Sequence, residues 1–361
     1  MMGGSGFIAR DSFLKTGSFV PHQTAYSSFD EVLENIRFMR AGPFEKIFID
    51  PSRVKAAIVT CGGLCPGLNT VIRGLVMTLN NYKINTVYGI RWGYKGFYTD
   101  KEKNWTALTP EVVKNIHKQG GTILGSSRGG FEAEKILDSL KESEINMVFV
   151  IGGDGTHRGI DALIKAAIER GQVIQIIGVP KTIDNDIPLI DNSFGYNTSV
   201  EVAARMVERC QAQATSVKNG VGLIKVMGRY SGFIAMGASL TNNEVDFCLI
   251  PELPFEILGE NGVMTNIVKR VQKQGSCLVV VAEGAEEGMI NQAESITANK
   301  AVDGSGNQAF DDIGEALEKL IPMYGKQYHQ IDLNVVYIDP TYAIRSVRSN
   351  ATDTLLCTKL A

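Results

Sequence analysis

Residues 146–156 read NMVFVIGGDGT, an apolar run that ends in a glycine-rich turn with one acid and one hydroxyl. The run is typical of a buried strand, and residues 157–170 predict a helix. A strand, a glycine turn and a helix start form a place where α/β proteins hold phosphates, because backbone N–H groups and the helix dipole favour an anion. Asp154 in this turn predicts a ligand for the Mg²⁺ that phosphates bring with them. An ordinary turn with a helix-capping Asp would have the same pattern.

The next predicted strand, residues 173–179, is followed by PKTIDND at 180–186. Asp184 and Asp186 are two positions apart, so their side chains point the same way if the chain stays extended. One carboxylate can act as a base while the other orients or tunes it. Two parallel strands would thus present three acids at their carboxyl ends, where open α/β sheets bind ligands.

The composition narrows the class of protein. The 361 residues are 44% hydrophobic and 21% charged, which is ordinary for a globular protein and predicts two domains of roughly 150 residues. The net charge of −3 gives no basic excess of the kind that binds nucleic acid, and no apolar run reaches the ~18 residues of a membrane span. Six scattered cysteines and four histidines disfavour a zinc cluster and fit reduced thiols. With no secretory signal pattern at the amino terminus, we expect a cytoplasmic protein without nucleic-acid or membrane partners.

Strands and helices alternate regularly from Lys55 onward. The first set has predicted strands at 55–60, 86–90, 146–150 and 173–179, and helices at 68–80, 110–118, 131–141 and 157–170. After a long predicted helix at 198–217, the second set has strands at 220–226, 247–250, 277–282 and 331–338, and helices at 231–240, 261–274 and 311–320. This alternation predicts mostly parallel sheets covered by helices. Residues 1–52 predict an irregular extension with a short helix at 28–40, and residues 285–303 a polar surface segment.

Five motifs occur in the order found in 6-phosphofructokinases, which the sequence resembles from about Lys55 to Ala361. The motifs lie at residues 60–69, 152–156, 180–186, 227–232 and 342–345. The resemblance is closest to the ATP-dependent group of plants and some protists, whose sequences are similar to those of the pyrophosphate enzymes. It implies transfer of the γ-phosphoryl group of MgATP to the 1-hydroxyl of fructose 6-phosphate in glycolysis. It also implies an allosteric homodimer or homotetramer.

With this resemblance, the predicted fold is α/β with two doubly wound Rossmann-like domains, mostly parallel sheets and an active site in the cleft between them. Residues 1–52 are the extension. Residues 53–196, joined by 344–361, are expected to bind the nucleotide and Mg²⁺. Residues 197–343 are expected to bind the sugar phosphate.

The resemblance also implies roles for individual residues. The nucleotide would be contacted by Gly63, Tyr98, Arg128, Gly129, Gly153, Asp154, Gly155, Thr156 and Lys181, with Asp154 as the metal ligand. The sugar phosphate would be contacted by Thr182, Asp184, Met227, Gly228, Arg229, Glu283, Tyr342 and Arg345. Catalysis would depend on Asp184 as the base for the 1-hydroxyl, together with Gly63, Thr182, Asp186 and Arg229. We expect an ordinary carboxylate pKa, about 3.9, for Asp184.

Two positions bear on the phosphoryl donor. Gly155 favours ATP, because the Asp that pyrophosphate enzymes tend to have there would crowd and repel an α-phosphate. Lys181 is typical of pyrophosphate enzymes, but a lysine side chain can swing aside, and the plant and protist ATP group combines Gly with Lys at these two positions. The alternatives are a pyrophosphate-dependent enzyme and a non-catalytic regulatory paralogue, which would have lost the strand-end acids. A lipid or NAD kinase shares the Gly-Gly-Asp-Gly-Thr turn but not the other motifs.

The sequence departs from bacterial members of the family at three positions. Gly220 and Val336 stand where bacterial members use arginines of the neighbouring subunit, and Tyr342 stands where they have a histidine. The plant and protist group shares this pattern. Family members also continue past the helix predicted from about Asn350, so we expect an unpaired sheet edge.

Overall fold

The computed structural model of the protein describes residues 13–15, 17–21, 28, 30, 36–44, 46–188, 190–285, 289–290 and 312–361. The first of its two main sheets has five strands in the order β3-β2-β1-β4-β5. These strands are β1 (Ala56–Thr60), β2 (Val87–Ile90), β3 (Trp105–Ala107), β4 (Met147–Gly152) and β5 (Gln175–Pro180). Neighbouring strands are parallel except β2 and β3, an antiparallel pair that the sequence did not predict.

The register of the first sheet brings the three predicted turns together. Thr60 of β1 lies opposite Ile151 of β4, and Gly152 lies opposite Pro180 of β5. The chain therefore leaves all three strands at the same edge, where parallel strands present their carboxyl ends.

The second sheet has four parallel strands in the order β9-β6-β8-β7. They are β6 (Gly220–Val226), β7 (Phe247–Leu249), β8 (Ser276–Ala282) and β9 (Asn334–Ile338). The register pairs Val226 with Ala282 and Ile224 with Ile338, so the loops after β6, β8 and β9 also share one edge. β9 and β7 are the edge strands.

Helices connect and cover both sheets. The longer ones are Leu68–Asn81, Ala133–Glu142, Asp154–Glu169, Tyr196–Thr215, Phe233–Leu240, Val263–Gln274, Ile313–His329 and Ala351–Leu360. The short ones are Lys101–Asn104, Pro110–Val113 and Thr341–Arg345, with 3₁₀ turns at Pro51–Arg53, Gly93–Phe97 and Ile116–Lys118. None of the helices in the described part combines the length and apolar character needed to cross a bilayer.

Three predicted helices differ from the observed ones. The helix predicted at 157–170 begins at Asp154, because Gly153 has an extended conformation and serves as the N-cap. The helix predicted at 110–118 is split into an α turn and a 3₁₀ turn. The helix predicted at 311–320 continues to His329 despite Pro322, since Ile321 and Tyr324 bury its later turns against the core.

Two further predictions fall on partly described segments. Within the predicted helix 28–40, residues Arg37–Met39 instead form a strand antiparallel to Phe19–Pro21, and residues 29 and 31–35 lie outside the described set. Most of the polar segment 285–303 also lies outside it. In the described part of this segment, Met289–Ile290 pairs with Phe255–Glu256 as two short parallel strands.

One hydrophobic cluster contains residues of both sheets, including Ile58 and Ile151 of the first and Val221 and Val279 of the second. The helix Ala351–Leu360 closes this core by packing against Leu68–Asn81 and Tyr196–Thr215. Its fully buried Asp353 accepts hydrogen bonds from the backbone N–H of Thr198, at 2.7 Å, and from the Thr198 hydroxyl. The two sheets therefore share one interior.

Candidate active site

A cavity of about 340 Å³ lies where the carboxyl edges of the two sheets face each other. It brings together most of the predicted site residues: Gly63, Arg128, Gly129, Gly153, Asp154, Gly155, Thr156, Lys181, Thr182, Asp184, Asp186, Arg229, Glu283 and Arg345. One wall is supplied by the loops after β1, β4 and β5 and by segments that follow β2 and β3, which carry Tyr94, Ser127, Arg128, Gly129 and Phe131. The loops after β6, β8 and β9 supply the other wall. The cavity is thus the cleft that the sequence predicted.

The helix Asp154–Glu169 begins at the cavity. Gly152 must be a glycine here, because a Cβ atom would lie 2.4 Å from the Thr156 hydroxyl oxygen. The Tyr94 hydroxyl donates to the Thr156 carbonyl at 2.7 Å and fixes the first turn. The first N–H groups of a helix have no partners within it, so this end offers donors and a positive dipole to an anion.

In the glycine turn after β1, the backbone conformation requires glycine at position 62, whereas position 63 has open space around it. Gly62 has a φ of +84°, which side chains rarely adopt. At Gly63 a Cβ atom would have a single neighbour within 4 Å, a guanidinium nitrogen of Arg128 at 3.9 Å. The fold itself therefore does not require glycine at position 63, and the missing side chain leaves room on the cavity side.

Lys181 is 7% exposed, and its ammonium group donates to the Gly63 carbonyl at 2.9 Å. This hydrogen bond ties the ammonium group to the glycine turn after β1, and Lys181 lines the cavity. Burial lowers the pKa of Lys181. The lysine therefore links the turns after β1 and β5 and fixes the backbone on which a phosphate would rest.

The turn after β5 is organised by its own polar side chains. The Thr182 hydroxyl donates to Asp186 at 2.7 Å, and the Asp184 N–H donates to the Thr182 hydroxyl at 3.3 Å. Asn185 adopts a φ of +58°, and its side-chain oxygen accepts from the Ser193 N–H at 2.7 Å. These contacts fix Asp184 and Asp186 in different environments.

Asp184 lies where the two walls of the cavity meet. One carboxylate oxygen accepts from the Arg229 N–H at 3.4 Å, and the Asp184 carbonyl accepts from the Ser231 hydroxyl at 2.8 Å. The other carboxylate oxygen is buried and has no hydrogen-bond partner among the described residues. Asp184 itself lines the cavity.

The expectation of an ordinary pKa for Asp184 is wrong. Burial raises the pKa from about 3.8 to about 6, and the carboxylates of Asp186 and Glu283 add to the rise. The Arg229 N–H and the Arg345 guanidinium oppose it. Asp184 is therefore ionised at neutral pH but is a stronger base than an exposed carboxylate. A raised pKa of this kind suits a residue that accepts a proton during a reaction.

Two glycines interlock the loops of the second wall. Gly228 has a φ of +132°, and its carbonyl accepts from the Gly284 N–H at 2.9 Å. A Cβ atom at Gly284 would lie 1.7 Å from the Arg229 carbonyl oxygen. Gly228 thus shapes the loop that carries Arg229 without lining the cavity, and Met227 is fully buried in the core.

Two predicted tyrosines also lie outside the cavity lining. The Tyr98 hydroxyl donates to the Gly130 carbonyl at 2.9 Å, and the Lys135 ammonium lies 5.4 Å from its ring. Tyr342 is 84% exposed on the short helix that also carries Arg345.

The cavity also contains residues that the sequence did not indicate: Cys61, Gly62, Leu64, Tyr94, Ser127, Phe131, Ile183 and Tyr230. Most of them are immediate neighbours of the predicted motifs, and this adjacency in the sequence could have identified them as cavity residues. Phe131 packs edge-on against Tyr94 with ring centres 5.1 Å apart. Burial raises the pKa of Cys61 to about 12, so this thiol is not a nucleophile at neutral pH.

Asp154 is the candidate metal ligand. Its carboxylate is exposed at the cavity, and no group of three or more His, Cys, Asp or Glu side chains able to hold a metal occurs among the described residues. This donor set fits Mg²⁺, which is commonly held by one or two carboxylates, water and substrate phosphates.

The fold and the cavity define a two-lobed α/β protein with a polar cleft at the strand ends. The family model described as phosphofructokinase matches residues 55–361. The chain therefore belongs to the phosphofructokinase family.

Among its relatives, ATP-dependent 6-phosphofructokinase 4, chloroplastic, of Arabidopsis thaliana is 46% identical over 94% of this chain and 65% of that protein. ATP-dependent 6-phosphofructokinase of Borreliella burgdorferi is 43% identical over 91% of this chain and 73% of that protein. The chain spans less than two thirds of the length of the first plant relatives.

Solved structures confirm the predicted fold class. Pyrophosphate-dependent phosphofructokinase from Marinobacter aquaeolei has a TM-score of 0.66 at 22% identity, covering 84% of this chain and 73% of that one. Pichia pastoris phosphofructokinase in the T-state also has a TM-score of 0.66 at 22% identity, covering 93% of this chain and 33% of that one. At this identity the likeness concerns the fold alone.

The raised pKa of Asp184 predicts a pH-dependent stability effect. Because the folded pKa, about 6, is above the ordinary value of about 3.8, the neutral carboxyl stabilises the fold at low pH. That contribution is lost as the pH rises through 6. An Asp184→Asn variant cannot ionise. Its free energy of unfolding relative to wild type should therefore increase by about 1–3 kcal/mol between about pH 4 and pH 7.5.

Urea unfolding across this pH range measures the difference. Asp154→Asn, which removes an exposed carboxylate from the same cavity, is the comparison variant. If the free energy of unfolding of Asp184→Asn relative to wild type does not change with pH, the raised pKa of Asp184 is contradicted.

Proposed function

We propose that the chain is an ATP-dependent 6-phosphofructokinase, a kinase that forms fructose 1,6-bisphosphate and ADP in glycolysis. The observation that carries this proposal is the position of Asp184. Asp184 lines the same cavity as the helix start at Asp154 and the side chains of Arg128, Arg229 and Arg345. A base facing an anion site suits phosphoryl transfer to a hydroxyl group. The names of the relatives support this choice of substrates.

We assign the two walls of the cavity to the two substrates. Residues 53–196, with 344–361, would form the domain for MgATP, and Gly63, Arg128, Gly153, Gly155 and Thr156 would surround the phosphates. Residues 197–343 would form the domain for the sugar phosphate, contacted by Arg229 and Glu283. Arg345, which lines the cavity from the short helix after β9, would reach the sugar phosphate from the returning segment. The free backbone N–H groups at the amino terminus of the helix Asp154–Glu169 support the assignment of MgATP to the first wall.

The chemistry divides between a base and a set of cations. Asp184 accepts the proton of the sugar 1-hydroxyl while the new O–P bond forms and the bond between the β–γ bridging oxygen and the γ-phosphorus breaks. Thr182 and Asp186 hold the turn that presents Asp184. Arg128 and Arg229 stabilise the charge that spreads over the transferring group. Mg²⁺ held by Asp154 would supply further charge neutralisation when MgATP is bound.

Gly155 supports ATP as the donor. It is the second residue of the helix Asp154–Glu169 and lines the cavity, where a side chain would face the α-phosphate. Lys181 is the feature that favours pyrophosphate, but its ammonium group is bound to the Gly63 carbonyl. We therefore weigh the missing side chain at Gly155 more heavily than the charge of Lys181. A non-catalytic paralogue is disfavoured by the presence of Asp154, Asp184 and Asp186 in the cavity.

We further propose a cytoplasmic, allosteric homodimer or homotetramer. The family resemblance supports the assembly, and two relatives are named as chloroplastic, so the compartment needs a direct test. Light scattering of purified protein measures the assembly, and imaging of a tagged chain in its own cell type measures the compartment.

The function is tested by an aldolase-coupled assay of purified full-length protein with fructose 6-phosphate and either MgATP or pyrophosphate. We expect turnover with MgATP, and a loss of kcat by about 10²–10⁴ in Asp184→Asn, the usual contribution of a positioned base. The variant also controls for contaminating host enzyme. Turnover with pyrophosphate but not with MgATP would contradict ATP as the donor. An Asp184→Asn variant with more than half the wild-type kcat would contradict the role of Asp184 as the base.

The metal assignment predicts that Asp154→Ala raises the MgCl₂ concentration needed for half-maximal activity at least about tenfold, because the first helical turn has no other acid. Asp161→Ala is the control on the same helix, where Asp161 is exposed and pairs with Lys165. Titration of MgCl₂ at fixed ATP compares the two. A half-saturation point that is the same in both variants would exclude Asp154 as the ligand.

The donor assignment predicts that Gly155→Asp strongly weakens use of ATP. Two like charges ~4 Å apart at an effective dielectric near 20 repel by about 4 kcal/mol, close to a thousandfold in affinity. Gly155→Asn is the isosteric control without the charge and should retain more ATP turnover. KM and kcat for ATP and pyrophosphate are measured in all three proteins. An Asp variant whose KM for ATP changes less than tenfold would show that Gly155 does not face the α-phosphate.

A further inference from the structure

A buried cation lies beneath the second wall of the cavity. Lys225 of β6 is 8% exposed, and its ammonium group pairs with Asp312 and, at 2.9 Å, with Asp339. Burial alone would lower the pKa of Lys225, but the hydrogen bonds to both carboxylates outweigh it and raise the pKa. The Tyr337 hydroxyl approaches Asp312 at 3.5 Å. None of these residues lines the cavity, so the cluster is not part of the site already described.

The first partner, Asp339, begins the segment that supplies Arg345. It follows β9 directly, and its Oδ1 atom accepts from the Thr341 N–H at 2.9 Å at the start of the helix Thr341–Arg345. Its Oδ2 atom binds Lys225. Burial alone would raise the pKa of Asp339, but hydrogen bonds from Thr341 and Lys225 lower it. The carboxylate therefore stays ionised at neutral pH and fixes the start of this five-residue helix, while Ile344 is buried near its end.

The second partner, Asp312, belongs to a purely structural element. It caps the helix Ile313–His329 by accepting from the Glu315 N–H at 3.1 Å. No residue of that helix lines the cavity. Lys225 therefore joins one helix that carries a cavity residue and one helix that carries none.

We propose that Lys225 is a positioning residue for the phosphorylated substrate, acting through Asp339 and the helix Thr341–Arg345. The ion pair holds the helix so that the Arg345 guanidinium keeps its place in the cavity. This inference rests on the proposed function, because Arg345 acts on a sugar phosphate only if that is the substrate. A small displacement of such a group is expected to weaken substrate binding about 10- to 100-fold.

The two carboxylates provide a matched pair of variants. Asp339→Asn and Asp312→Asn each remove one charge facing Lys225 and leave an Oδ1 atom to accept from Thr341 or Glu315. We expect both to lower Tm by a similar amount. Only Asp339→Asn should raise the KM for fructose 6-phosphate, by about tenfold or more, with kcat within about threefold and the KM for ATP unchanged. Lys225→Met should show both effects, and Lys225→Arg, which keeps the charge, should recover part of the substrate affinity.

Amide hydrogen exchange of residues 341–346 gives a readout that does not depend on turnover. Exchange should become faster in Asp339→Asn and Lys225→Met and stay at the wild-type rate in Asp312→Asn. If KM and exchange change equally in both Asn variants, or in neither, Lys225 supports only the fold and the proposal is overturned. Lack of wild-type turnover with fructose 6-phosphate would count against the proposed function, and the exchange rates would still decide whether Lys225 positions the helix.

Discussion

The carboxylate of Asp184 is held largely out of water at the point where the two sheets meet, and much of the cavity follows from this constraint. A buried charge is unfavourable unless its environment compensates for it. Here the compensation is partial: the Arg229 N–H and the Ser231 hydroxyl bind the residue, while one carboxylate oxygen has no partner in the described chain. The pKa therefore rises, so the fold is less stable at neutral pH than a neutral side chain would allow. The same rise makes the carboxylate a better proton acceptor, which is the kind of compromise between stability and activity that active sites show.

The cations of the structure fall into two groups with different tasks. The arginines Arg128, Arg229 and Arg345 line the cavity, where a planar guanidinium group suits phosphate oxygens. The lysines Lys181 and Lys225 are nearly fully buried and bind groups of the protein itself, although Lys181 also lines the cavity. Each lysine fixes a turn at the carboxyl edge of one sheet. The two buried ammonium groups thus shape the walls of the cavity that the arginines line.

The sequence predicted the parts of the structure that depend on local pattern. Alternating apolar strands and helices predicted both sheets, and the strand-end turns predicted Asp154, Asp184 and the cleft, because parallel strands place their carboxyl ends together. Features that depend on distant neighbours were not predictable. The contact between Lys181 and the Gly63 carbonyl joins residues far apart in the chain. Motif membership also did not distinguish residues that face the cavity from residues that shape it, as the buried Met227 demonstrates.

The shared interior below the cavity fixes the positions of its two walls. The helix Tyr196–Thr215 packs against β6 and β9 of the second sheet and against the helix Ala351–Leu360, which returns to the first. The buried Asp353 joins these two helices through Thr198. Since the sheets are fixed to each other through this core, the strand ends at the two carboxyl edges are held in alignment. The core therefore positions the charged residues that line the cavity.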